Sequence, residues 1–181
     1  GYYNTPQDIT LTCTDVNGCG CAATYYTVDG STPTTGSSMY SGPISLNTLN
    51  TPIVLQYFSV DYEDNTESVQ TQNYIIDTIP PEVTSTSPDV NATDVTLTKV
   101  LTVTFSEPVI PASISATNFT LVAADHQVTG TVSLDENDEN VARFEPAYRL
   151  ECNTVYTATI SSGVSDLAGN LMQMEYSWDF T

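Results

Sequence analysis

The 181-residue chain carries 22 Asp and Glu against 3 Lys and Arg, a formal charge of -19 at pH 7, with 40% hydrophobic residues. So few cations cannot displace counterions from a nucleic-acid backbone, and they argue equally against an anionic membrane surface. The apolar fraction suffices for packed cores, and the length suits one or two domains.

Helical periodicity is nearly absent and period-two alternation is common. From the N-terminus, "DITLTCT" places Ile9, Leu11 and Cys13 on one face of an expected strand. The stretch "YYTVDGSTPT", residues 25–34, reads as a strand running into a turn. There Asp29 can accept from the backbone two residues on, and Gly30 can take positive φ. A nucleophilic Ser31 would need a base in contact, and the sole histidine, His126, falls in the other half of the chain. A strand ending at Ile76 then meets Asp77 and the pair Pro80-Pro81, which cannot donate ladder hydrogen bonds. The joint is therefore expected at 77–81, between a domain at 1–77 and a domain at 78–181 set end to end by a short Pro-Pro linker.

Beyond the joint, "LTVTF" puts Leu101, Val103 and Phe105 on one face, and residues 111–115 suit a brief helical turn. Tyr156, Ala158 and Ile160 share a face, as do Tyr176, Trp178 and Phe180, which assigns Trp178 to a core. The segments "DGSTP", "SGP", "EDN", "SPD", "DENDEN" and "AGN" supply turns. Short half-buried strands at regular spacing predict an all-β chain of β-sandwiches. With no initiator Met, leader-like segment or long apolar run, the chain reads as a mature product or an excerpt of a longer exported protein, without membrane insertion.

Cys13, Cys19, Cys21 and Cys152 form an even set that favours disulfides in an exported chain, with three pairings open. Zinc is the rival reading of "CTDVNGCGC", but no C-x-x-C spacing accompanies the lone His126. A lone histidine is a poor acid–base signal, and glycoside hydrolysis needs a cleft with sugar-binding aromatics as well as two carboxylates. No catalytic residue is expected. Calcium is the cation the acidic clusters suit, since it takes six to eight oxygen ligands. The candidate ligands are Asp61, Glu63, Asp64, Asn65 and Glu67, joined by Asp77; the stretch 135–140 is a second cluster. Neither has EF-hand spacing, and a solvated acidic turn is the competing reading of both. Lys99 is expected to be solvated at a strand start, and Asn91 and Asn118 head glycosylation sequons. Tyr2, Tyr3, Tyr40, Tyr62 and Tyr148 are candidate surface tyrosines, able to stack on sugars or simply to hold their hydroxyls in water.

"GYYNTPQDITLTC", "YYTVDGSTPT", "YSGPISL" and "LQYFSVDYEDNTESVQTQNYIID" together resemble the chitobiase/β-hexosaminidase C-terminal-like module, a small Ig-like sandwich. "PPEVTSTSP", "LTVTFSEPV", "TVYTATISSGVSDLAGN" and "YSWDFT" resemble the bacterial Ig-like domain of surface-layer and adhesin-type proteins. Cys13 and Cys21, flanking a loop before the tyrosine strand, fit the first family's pattern, whereas Cys19 and Cys152 do not. The ends of that loop can come within disulfide reach, so Cys13–Cys21 is the expected pair. Cys19 and Cys152 are left as free thiols, or as a bridge between modules or neighbouring copies. The resemblance implies non-enzymatic spacer, adhesion or scaffold work at a cell surface or outside the cell, beside other domains of a parent chain. The alternatives are a carbohydrate-binding accessory module of a hydrolase, with glycans as partners, and a fibre subunit that pairs with copies of itself.

Overall fold

The computed structural model describes residues 1–14, 20–124 and 126–181. The chain divides into two compact units, Gly1–Thr78 and Ile79–Thr181. Both are built of strands, and no helix is long and apolar enough to cross a membrane.

The first unit contains β1 (Tyr2–Tyr3), β2 (Gln7–Ile9), β3 (Cys21–Thr27), β4 (Ser38–Met39), β5 (Ile44–Leu46), β6 (Pro52–Asp61) and β7 (Gln70–Ile76). A five-stranded sheet runs β1-β7-β6-β3-β4, and β2 pairs with β5 in a separate ribbon. Ile53 and Leu55 of β6 point inward and pack with Ile44, Leu46 and Ile76; Ile9, Leu11, Tyr26, Tyr40, Tyr57 and Tyr74 close around them. β2 is shorter than the alternation of residues 8–14 predicts. β5 offers partners only from Gln7↔Leu46 to Ile9↔Ile44, so the chain beyond Ile9 has no ladder to join, although Leu11 still reaches the core. Cys13 and Cys21 form a disulfide with Cα atoms 6.2 Å apart. A core this small buries little apolar surface, and a covalent constraint on the unfolded chain adds stability that packing does not supply.

The second unit contains β8 (Val83–Ser87), β9 (Leu101–Phe105), β10 (Phe119–Ala123), β11 (His126–Gln127), β12 (Gly130–Leu134), β13 (Val141–Pro146), β14 (Tyr156–Ile160) and β15 (Tyr176–Phe180), with a 3-10 turn at Pro111–Ser113. Its two sheets run β11-β10-β14-β15 and β12-β13-β9-β8. Inward side chains alternate along β9, β10 and β14, so each sheet presents an apolar face to the other. Phe119 of one sheet meets Phe144 of the other with ring centroids 5.6 Å apart, and it meets Trp178 at 6.1 Å. Trp178 is 2% exposed, in the core as its alternation requires. Its indole N–H is buried without a hydrogen-bond acceptor among the described residues.

Candidate functional site

The turn after β3 is a structural turn. Asp29 accepts the Ser31 N–H at 3.0 Å and also the Ser31 hydroxyl, while Gly30 sits at φ 81°. The Ser31 hydroxyl, more than any other contact, holds the Asp29 carboxyl below the usual range. Ser31 belongs to the first unit and His126 to the second.

The most developed arrangement of polar groups occurs twice. In "DYEDN", Asp61 Oδ1 accepts the N–H groups of Glu63 at 2.8 Å and Asn65 at 2.9 Å, and its Oδ2 accepts Asn65 Nδ2 at 2.8 Å. In "DLAGN", Asp166 Oδ1 accepts the N–H groups of Ala168 at 2.9 Å and Asn170 at 2.8 Å, and its Oδ2 accepts Asn170 Nδ2 at 2.8 Å. In both loops the Asp N–H donates back to the Asn carbonyl at 3.1 Å. The fourth residue takes positive φ in each: 63° at Asp64 and 91° at Gly169. A carboxylate with three N–H donors is a strong local clamp. The two differ in burial: Asp166 is 1% exposed, whereas the loop around Asp61 is open to solvent. The Asn65 side chain, ahead of the backbone donors, lowers the Asp61 pKa. The D-x-x-x-N spacing was legible in the sequence as a repeat, although the two segments read there only as turns.

The calcium ligands proposed from sequence are not all brought together. Asp61 ends β6, which spans Pro52–Asp61, and Asp77 follows β7, whose Ile75 lies opposite Pro52. At about 3.3 Å per residue the two ends of β6 are about 30 Å apart, so Asp77 cannot share an ion with Asp61. Of the remaining ligands, Asp61 is committed as above, and the Glu67 carboxylate accepts the Ser59 N–H at 3.2 Å. Asp61, Asn65 and Glu67 border a depression of about 150 Å³ beside the disulfide. In the second cluster, Asp135 accepts the Asn137 N–H and Asp138 the Asn140 N–H, both at 3.0 Å. Arg143 pairs with Asp135 at 2.9 Å. The Asn137 N–H, then Arg143, lowers the Asp135 pKa.

Cys152 is an exposed free thiol shortly before β14. Its expected companion, Cys19, lies outside the described residues, as does Asp125 beside His126. Lys99 is half-buried and donates to Ser87 Oγ at 2.7 Å, instead of standing free in water. Asn118 is half-buried, donating to the Ser113 carbonyl and accepting the Ser161 hydroxyl, whereas Asn91 is exposed. Tyr3 stacks on Tyr74 and Tyr40 packs on the first core, so neither is a free surface tyrosine; Tyr2, Tyr62 and Tyr148 are exposed.

Comparison with known families settles the class of the second unit. The family model described as "Bacterial Ig-like domain" matches residues 77–181, more than half of the chain. The chain belongs to the bacterial Ig-like domain family. A second model, "Chitobiase/beta-hexosaminidase C-terminal domain", matches residues 1–71. No curated protein matches the chain. Among solved structures, the N-terminal part of the bacterial S-layer protein SbsC is similar at 24% identity and TM-score 0.44, over 57% of this chain and 23% of that one.

In the bacterial Ig-like domain, sequence reasoning missed one grouping. Tyr148 and Arg149, in the connection from β13 to β14, border a depression of about 200 Å³ whose far wall includes His126 and Gln127 of β11. These residues are about twenty apart in sequence, and the antiparallel pairing of β12 with β13, with Gly130 opposite Pro146, brings them to one place.

Proposed function

We propose that this chain is a pair of non-catalytic modules that space or present other parts of a secreted or surface-attached prokaryotic protein. The supporting observation is the pairing of a bacterial Ig-like sandwich with a chitobiase-type C-terminal module. Three carboxylates, Asp29, Asp61 and Asp166, each accept N–H or O–H donors of their own turns. Groups held this way shape their loops. The partners of such modules are the other domains of the parent chain. The test is turnover of a panel of glycosides and esters by the purified chain. Activity abolished by a single substitution within these residues would overturn the proposal.

Calcium enters this reading in a narrow form. An ion at 61–67 has to displace or share the donors on Asp61 and Glu67, which favours a weak site. Binding to the folded state must raise apparent stability by mass action. A melting temperature that is equal in millimolar calcium and in chelator, at matched ionic strength, removes calcium from the account.

A further inference from the structure

We propose that the ridge formed by Tyr148 and Arg149 is a binding site for a neutral oligosaccharide. This goes beyond the spacer reading and does not depend on it.

The ridge is held in place from both sides. The Ala147 N–H donates to the Thr129 carbonyl at 2.9 Å, and the Leu150 N–H donates to the Leu97 carbonyl at 2.8 Å. Leu150 is buried, and the next N–H, of Glu151, donates to the Tyr156 hydroxyl at 2.6 Å. The two residues between these anchors point outward. Tyr148 is 81% exposed, more than any other large hydrophobic residue described. A single exposed aromatic needs no explanation of its own, but this one stands between two hollows. One, of about 200 Å³, has Gln127, Arg149 and Glu151 on its walls. The other, of about 230 Å³, has Thr98 and Glu145, and again Tyr148 and Arg149.

Each hollow is smaller than the roughly 300 Å³ at which small-molecule pockets begin. A compact ligand is therefore poorly served, whereas a chain of rings laid across the ridge would use both. The face of a tyrosine ring is electron-rich and attracts the C–H face of a pyranose, whose hydrogens carry partial positive charge. Vicinal hydroxyls match the planar fork of a guanidinium and the paired oxygens of a carboxylate. Arg149, Glu145 and Glu151 place both kinds of group around the aromatic. Charge selects among glycans. Arg149 stands between two glutamates on a chain of formal charge -19, so anionic saccharides are repelled.

The test is an NMR titration of the intact chain with cellotetraose, chitotetraose, xylotetraose and mannotetraose, each to about 10 mM, a range suited to weak binding by one stacked ring and a few hydrogen bonds. Trigalacturonate serves as the anionic comparison. The expected result is saturable shifts of the amides at Tyr148, Arg149, Gln127 and Thr98 with at least one neutral sugar. Tyr148→Ala should weaken that binding about tenfold, and Tyr148→Phe should keep it, as a stacking contribution requires. Both variants should keep the parent's melting temperature, because the ring is in water. Three results would each overturn the proposal: no saturable shift with any neutral sugar, shifts unaffected by Tyr148→Ala, or tighter binding of trigalacturonate. Concentration-dependent broadening at these amides without sugar would instead assign the ridge to contact between copies, also against it.

Discussion

The twin Asp loops allow one interaction geometry to be measured at two depths. Asp166→Ala removes three N–H···O⁻ hydrogen bonds from a residue that is 1% exposed. Hydrogen bonds to a charged group contribute about 1.5–3 kcal/mol each, and water recovers part of that at the half-buried amides of Ala168 and Asn170. A net loss of about 4 kcal/mol follows, in the range for breaking a buried charged network. Asp61→Ala removes the same three bonds in a loop where Glu63 and Asn65 are exposed. Water replaces the lost acceptor there, and the loss should be much smaller. Urea unfolding separates the two, because Trp178 is the chain's only Trp and reports on the second unit, while far-UV circular dichroism reports on both. With a denaturant slope of about 1.3 kcal/mol/M, Asp166→Ala should lower the fluorescence midpoint by about 3 M. Asp61→Ala should leave that midpoint in place and shift the first unit's transition by far less than Asp166→Ala shifts the second's. Asp166→Asn, which keeps one oxygen for the backbone donors, should fall between wild type and Asp166→Ala. Equal losses at the two sites would refute the argument that burial, and not bond count, sets the energy of this loop.

Asp64→Gly should stabilise the first unit by up to about 1 kcal/mol, since Asp64 holds the positive φ that Gly169 takes in the twin loop, and a lower chemical-denaturation midpoint would contradict this. Cys13→Ser, which opens the bridge Cys13–Cys21, should cost the first unit about 2.5 kcal/mol in the chain-entropy model and leave the Trp178 transition unmoved. The carboxyls of Asp29, Asp61 and Asp135 have folded pKa values below their unfolded ones, so their contribution is complete above about pH 4 and is lost as pH falls through the folded values. Urea midpoints should therefore drop as pH falls below about 4, and Asp61→Asn should make the first unit's drop shallower; an identical drop in that variant would remove Asp61 from the cause.

The amino-acid sequence alone determined what depends on neighbours a few residues apart. Alternation in "LTVTF" and "YSWDF" set which side chains of β9 and β15 face the core, because side chains in a strand alternate between its two faces. The Asp29–Ser31 turn was equally legible, since Asp29 and the Ser31 groups that it accepts lie two residues apart. Tertiary structure decided what depends on partners far along the chain. β2 ends at Ile9 because β5 is short, a limit that no pattern in residues 8–14 records. Asp77 parts from Asp61 because β7 runs back along β6 and carries it to the far end of the sheet. Asp61 and Asp166 share one spacing and one set of bonds, yet only packing buries the second. The ridge at Tyr148 needed β12 to pair with β13 and Leu150 to bond back to Leu97, because side chains distant in sequence become neighbours only when strands pair.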